Sequence, residues 1–458
     1  MNFIYINSDS FRRDNLGCYG NKHIHTPNID RFAERSLIFD RAYTASFPTV
    51  PNRRDVMTGK YTFTYTDWAP LSPQEVVVQE LLGKVGYTSY MVLDTPHIVA
   101  NGFNYDRGFS AWKWIRGQEG DRYKTDPIHV KFPCSVSKLR GGERTTGQYL
   151  RNVHDRKSEA DYFAPMTMAD ACDWLDRNHI RDRFFLYVDT FDPHEPWDPP
   201  KKYLDMYDPN YDGEEVIYPL YAPSAFLSDP EMAHIKALYA GEVTMVDAWV
   251  GKLFDKIEEL GLLDNTLVIF TADHGFYFGE HGVVGKFGQI YDEMNHIPLI
   301  MHMPGVKPGR RAQFVQPCDY LPTILELAGV DCPEHVQGKS LVDIIINDGK
   351  PVRDCAVSSW AVIHPPATAT PVALSPSNWE QYCRKLKPST VVFDEWTLVT
   401  SAGDMFSELY NNAADPHHTR NVIKEHLGVA NKLHARYIGL LESLGTEEKY
   451  IAPRRKLV

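Results

Sequence analysis

The sequence predicts an α/β protein: a large, mostly parallel β-sheet flanked by helices, then a smaller C-terminal α+β subdomain with a short antiparallel sheet. Three observations predict it. Short apolar runs (Phe3 to Ile6, Ser89 to Leu93, Phe184 to Val188, Leu267 to Thr271) have the length of strands buried on both faces. Helical stretches alternate with them, as they do when strands run parallel. Past about residue 350 the alternation stops, and Thr390 to Phe393 and Trp396 to Val399 read as an antiparallel pair. The expected division is a main unit over 1–350 and a C-terminal unit over 351–458.

In chain order, the run Phe3 to Ile6 ends at Asn7-Ser8-Asp9-Ser10, so Asp9 lies just past a strand C-terminus, where sites gather in open sheets. Thr26 caps a short helix that starts at Pro27. Leu37-Ile38-Phe39 leads into Ala45 to Gly59, a tight turn entering a short helix. Pro51 fits the first helical turn and places Thr49 just before the helix N-terminus, its hydroxyl toward free N–H groups and the positive end of the dipole. Arg53 follows one turn later on the same side. A hydroxyl aimed at an anion pocket beside an arginine suits a nucleophile for a phosphate or sulfate ester. An ordinary proline-broken loop would look the same in this stretch alone.

Ser72-Pro73-Gln74-Glu75 is a capping-box signature ahead of a helix from Val76 to Lys84, ended by Gly86. The strand Ser89 to Leu93 ends at Asp94-Thr95-Pro96-His97. Residues 101–161 are polar and aperiodic and read as a long excursion over the site. Met166 to Asn178 is helical, and the strand Phe184 to Val188 delivers Asp192-Pro193-His194. After a second excursion, 199–230, Ile235, Leu238, Val243, Val246, Val250 and Leu253 share one helix face, which Gly261 ends. The strand Leu267 to Thr271 delivers Asp273-His274-Gly275, and a glycine-rich loop carries Glu280, His281 and Lys286. Pro298 to Met301 is a strand, Asp319 to Ala328 a helix, and Val422 to Leu441 a closing helix.

Hydrophobic residues make up 43% of the 458 and charged residues 24%, an ordinary globular balance. The formal net charge of −12 argues against nucleic acid as a partner, and an anionic substrate needs local positive charge against it. No apolar run reaches the roughly 18 residues of a membrane span. The chain starts on a strand without a signal-peptide pattern, and its seven scattered cysteines lack CxxC spacing. These features point to a cytoplasmic protein with reduced thiols, a small anionic ester as substrate, and neither nucleic acid nor membrane as partner. Self-association is left open.

Four strand ends deliver polar residues to one edge: Asp9; His97; His194; and Asp273 with His274. Each alone is more often structural. Together they suit one divalent cation; carboxylates favour Ca²⁺, Mg²⁺ or Mn²⁺, and the imidazole shifts the choice toward Mn²⁺ or Zn²⁺.

These segments resemble, nearly end to end, the sulfatase family of the alkaline-phosphatase superfamily. Asp9 to Gly20 is similar to the family's first metal-ligand segment, with Thr26-Pro27-Asn28-Ile29-Asp30 as its sequel. Thr49-Val50-Pro51-Asn52-Arg53, then Thr58-Gly59, occupies the Cys-x-Pro-x-Arg…Thr-Gly nucleophile signature. Asp192 to Pro196 resembles the Pro-His-x-Pro segment; Thr271 to Gly275, Gly279 to Gly282 and Lys286 resemble the second metal-ligand segment; and Leu409-Tyr410-Asn411…Asp415-Pro416 the C-terminal signature. The resemblance implies a catalytic α/β unit in which Asp9, Asp273, His274 and the Thr49 oxygen bind one divalent cation. It implies Thr49 as nucleophile, Arg53 and Lys286 on the transferring group's oxygens, His194 on the leaving group, and Thr95 and His97 beside the substrate. A second metal around Asp192, His194 and His281 would compete with Lys286.

Two positions depart from the family. Sulfatases carry Cys or Ser where Thr49 stands and convert it to formylglycine; threonine cannot become that aldehyde. The Lys-x-His segment reads Thr95-Pro96-His97, one positive charge fewer. A threonine nucleophile is similar to that of the superfamily's phosphodiesterases and phosphoglycerol transferases, while the single Asp at Asp9 and the changed Lys-x-His position resemble the phosphonate monoester hydrolase and phosphodiesterase branch. The leading expectation is therefore a hydrolase of phosphate diesters or phosphonate monoesters. The alternatives are a sulfuric ester hydrolase, with Thr49 natural or replacing a Cys, and a non-catalytic anion-binding member.

Overall fold

The computed structural model describes all residues except 287, 365–374, 404–405 and 458. Its strands are β1 Asn2–Ser8, β2 Leu37–Ala42, β3 Thr88–Leu93, β4 Ala111–Trp114, β5 Phe184–Thr190, β6 Ala222–Pro223, β7 Thr266–Thr271, β8 Tyr277–Phe278, β9 Val283–Gly285, β10 Leu299–His302, β11 Gly309–Val315, β12 Ala356–Ser359, β13 Ser389–Val392, β14 Trp396–Thr400 and β15 Glu408–Asn411. Eight form one sheet in the order β11-β2-β10-β7-β1-β5-β3-β4. Only β10 runs against its neighbours. β12 to β15 form a separate antiparallel sheet, and β6, β9 and β8 a small third one. The mixed α/β architecture expected from the sequence is the one observed.

Period-two alternation decides which side chains meet which helices. Phe3 and Tyr5 of β1 and Phe185 and Tyr187 of β5 face one way, packing with Val50 and Met57 of the helix Thr49–Thr58. Ile4, Ile6, Leu186 and Val188 face the other way, against the helices Phe163–Asn178 and Asp229–Glu259. The long second helix starts at Ser228, whose N–H donates to Glu231 at 2.8 Å in a reciprocal cap. Among the described residues no helix is long and apolar enough to cross a membrane.

Several boundaries move. The 101–161 excursion contains the edge strand β4 and the helix Gly142–Val153. The Ser72–Glu75 box closes a turn of its own, Ser72 N–H donating to Glu75 at 2.8 Å, and the helix behind it begins only at Val78. The closing helix begins at Leu427, not Val422, because Val422 N–H is spent on Leu409 O at 2.9 Å. Thr49 is the first helical residue, not the one before it, with Pro48 as the cap.

The two larger sheets meet at the turn before that helix. Ser359 N–H donates to Ala45 O at 2.8 Å, and Phe47 N–H donates to Ser359 O at 3.0 Å. Asp55, inside the helix, holds the same turn by accepting from Ser46 N–H and Oγ, both at 2.7 Å, and from Thr62 N–H at 2.8 Å.

Candidate active site

Strands β7, β1, β5 and β3 lie side by side with their C-terminal ends level: Asn7 pairs with Thr271 and Asp189, and Asp189 with Leu93. The chain leaving them therefore brings Asp273 and His274, Asp9, His194 and His97 to one edge. The helix Thr49–Thr58 packs under that edge and presents its N-terminus there.

Asp9, Asp273 and His274 are buried, and their ligand atoms lie within 4.8 Å of one another, the one such group among the described residues. The backbone prepares it. Ser10 N–H and His274 N–H donate to Asp273 Oδ1 at 3.0 and 2.8 Å, and Ser10 Oγ donates to Asp9 Oδ1 at 2.8 Å. Asp9 Oδ2 is left without a hydrogen-bond partner. His274 Nδ1 lies 3.0 Å from Gly275 O, so it carries the proton and Nε2 keeps its lone pair. That Nε2 is 3.3 Å from Thr49 Oγ1. Burial and the Asp273 charge push the Asp9 carboxyl well up; Asp273, buried too, is held down by Arg53 and His274. Burial lowers His274 to about 4, so its imidazole is neutral. Two buried carboxylates and a neutral imidazole nitrogen fit a hard or borderline divalent cation. Gly275 is needed here: a Cβ on it would lie 1.9 Å from the Glu293 carbonyl oxygen.

Arg53 is buried and its guanidinium is fully engaged. Nε and Nη2 grip Asp189 at 3.0 and 2.8 Å, while Nη1 sits 3.0 Å from Asp9 Oδ2 and donates to Asp273. Burial opposes its charge, but three carboxylates more than offset this and keep it protonated. Thr95 is buried too, its hydroxyl donating to Asp189 at 2.6 Å rather than opening toward the cleft. Asp189 escaped sequence reasoning; the signal was its place as the third of Phe185, Tyr187 and Asp189 on one buried strand face.

Lys286 Nζ stands 4.0 Å from Asp9 Oδ1 and 3.7 Å from Glu195 Oε2. Glu195 is buried, accepts from the Tyr221 hydroxyl through Oε1, and has no hydrogen-bond partner at Oε2. His194 stacks on Phe191 at 3.7 Å between centroids and donates its Nδ1 proton to Glu195 O. Burial, then the Lys286 charge, holds His194 neutral. His97 also meets Phe191, edge-on at 5.6 Å between centroids, and is partly exposed. Asp192, His194 and His281 do not form a second ligand group. Asp192 accepts from Gln118 Nε2 at 2.6 Å and Ala164 N–H at 3.0 Å, and His281 lies 3.3 Å from Glu293.

The sulfatase family model matches residues 1–330. The chain belongs to the sulfatase family. Members use a divalent metal, and the Asp-Asp-His group is where this chain offers one. Among curated relatives, an arylsulfatase of Clostridium perfringens is 27% identical over 406 residues, covering 77% of this chain and 80% of that protein. A multifunctional alkaline phosphatase superfamily protein of Trinickia caryophylli is 24% identical over 392 residues, covering 72% of each. Among solved structures, a phosphonate monoester hydrolase of Agrobacterium radiobacter superposes with a TM-score of 0.74 at 20% identity, over 97% of this chain and 95% of that one. The fold is thus that of the family, and the chain is a sulfatase-family hydrolase acting on small anionic esters.

Proposed function

We propose that the protein hydrolyses phosphate diesters or phosphonate monoesters in a reducing cytoplasm, with Thr49 as nucleophile. The observation that carries this is Thr49 itself: a hydroxyl that cannot become formylglycine, at the first position of a buried helix, 3.3 Å from His274 Nε2 in the metal-ligand group. The charge around it supports the same reading. Four carboxyl groups, Asp9, Asp189, Asp273 and Glu195, surround two cations, Arg53 and Lys286. A divalent cation brings that set to balance, which suits one negative charge at the reacting centre better than two.

A cation held by Asp9, Asp273, His274 and Thr49 supplies Lewis acidity and a lower hydroxyl pKa. In the first step Thr49 Oγ bonds to phosphorus as the bond to the leaving oxygen breaks. Lys286 faces the non-bridging oxygens, and Arg53 steadies the carboxylates beneath them. His194 is neutral at rest, so it must gain the proton Thr49 loses before giving one to the leaving oxygen. Water then attacks phosphorus and frees Thr49; no second hydroxyl on the nucleophile is needed.

The test is a panel of four aryl esters with one leaving group: phosphate diester, phosphonate monoester, phosphate monoester and sulfate, with Mn²⁺, Zn²⁺ or Ca²⁺ added in turn. The first two should be fastest. Thr49→Ala should cost several orders of magnitude, since nucleophile and ligand go together. The curated relatives are mostly sulfatases, so the competing reading is sulfate ester hydrolysis; sulfate turnover well above both phosphorus esters would establish it instead.

A further inference from the structure

Glu119 lies in the connection between β4 and the helix Gly142–Val153, far in sequence from every motif above. Its backbone is left-handed, with φ +49°, unusual for a glutamate. The carboxyl is nearly buried and both oxygens are used. Oε2 meets His97 Nε2 at 2.8 Å; Oε1 accepts from the Tyr218 hydroxyl and lies 3.5 Å from Arg140 Nη1. Burial would raise this carboxyl, but the His97 charge and hydrogen bond, with Arg140 and Tyr218, bring it down to about 2, so it is an anion. Arg140 is itself fixed: it lies 4.2 Å over the Tyr221 ring and grips Glu380 with two contacts of 3.2 Å. His97, by contrast, is partly open to the cleft, edge-on to the exposed Trp68 at 5.2 Å.

We infer that Glu119 is a positioning residue that fixes the ring of His97 at the leaving-group side of the site. Three features separate this from a chance surface pair. The carboxylate is braced from behind by Arg140 and Tyr218, so it cannot follow the imidazole if the ring turns. The bond is made through Nε2, which leaves Nδ1 as the only ring nitrogen available to anything entering the cleft. Phe191 contacts both rings, His194 stacked at 3.7 Å and His97 edge-on at 5.6 Å between centroids, so a rotation of His97 is felt next to the proton carrier. This rests on the ester-hydrolase reading of the site, but not on whether the ester is of phosphorus or sulfur.

The test is a double-mutant cycle on the metal-loaded protein, using whichever ester it turns over fastest. Glu119→Gln should lower kcat/KM about tenfold, more for poorer leaving groups; in a His97→Ala background the same change should cost less than about twofold. A merely structural role would give the same loss in both backgrounds and overturns the inference, as does full activity of Glu119→Gln. The side-chain ¹⁵N spectrum of His97 decides the matter without turnover. The wild type should show a protected Nε2–H, lost in Glu119→Gln and kept in Glu119→Asp. An Nε2–H signal unchanged in Glu119→Gln refutes the proposal, even if every ester in the panel proves inert and the functional reading falls with it.

Discussion

Replacing Arg53 by methionine removes the only cation, among the described residues, in direct contact with Asp9, Asp189 and Asp273 together. The stem is matched in length, so packing against the sheet is largely kept. What is lost is a bidentate pair with Asp189, at 2.8 and 3.0 Å, and one shared donor to the two metal-site carboxylates. Removing one partner of a buried pair costs roughly 3–5 kcal/mol, because the other charge is left uncompensated. Metal-free Arg53→Met should therefore unfold at a markedly lower urea midpoint than metal-free wild type. A divalent cation should return more stability to the variant than to the wild type, since it no longer binds against a neighbouring guanidinium; at a hundred times Kd the gain is about 2.7 kcal/mol. Arg53→Lys should fall between, keeping the charge but not the fork. The assay is urea unfolding of all three proteins with and without metal. Equal midpoints for the metal-free proteins would refute the reasoning. So would an equal metal increment in wild type and Arg53→Met.

Four other outcomes are expected. Asp273→Ala should lose metal and activity together while remaining folded, read by metal analysis and circular dichroism of the purified protein. Gly275→Ala should cost on the order of 3 kcal/mol or fail to fold, as its Cβ meets backbone and not a movable side chain, and a thermal melt measures this. Glu119 has a depressed folded pKa, so its stabilisation is present above its ordinary 4.5 and fades as pH falls toward about 2; wild-type and Glu119→Gln midpoints should converge as the pH is lowered through that window. All seven thiols are unpaired in the structure, and titration under denaturing, non-reducing conditions should count seven.

The parts of the site that follow buried strands were legible. Asp9, His97, His194, Asp273 and His274 each come within a few residues of a strand end, and level strand ends make neighbours of them. Thr49 and Arg53 were legible from proline placement and helical spacing. Asp189 and Glu119 were not. Asp189 reads as the tail of a strand; alternation puts it on the buried face of Phe185 and Tyr187, but its partnership with Arg53 shows only in the structure. Glu119 sits in an aperiodic stretch where no pattern predicts which way a side chain turns. The helix Gly142–Val153 was also missed, although Tyr149, Leu150 and Val153 give it an apolar side that packs on the core; that stripe is short and sits inside a long polar stretch. The edge strand β11 was hidden by its arginines, which suit a strand open on one side.

The turn ahead of Thr49 is stitched to β12 by residues made very late in synthesis: Ser358 Oγ donates to Thr44 O across 314 residues of chain, beside the Ser359 bonds to Ala45 and Phe47. Closing so long a loop is entropically slow, and before it closes the turn is held by Asp55, which accepts from Ser46, and by Gln316, which donates to the same Thr44 O at 3.2 Å. While the ribosome is still short of β12, the metal-ligand strands can already pair, but the turn before the nucleophile lacks its bonds to Ser358 and Ser359. Catalytic competence should then arrive as one late event, set by docking of the C-terminal sheet. A chain cut before residue 356 should hold a cation yet turn over nothing.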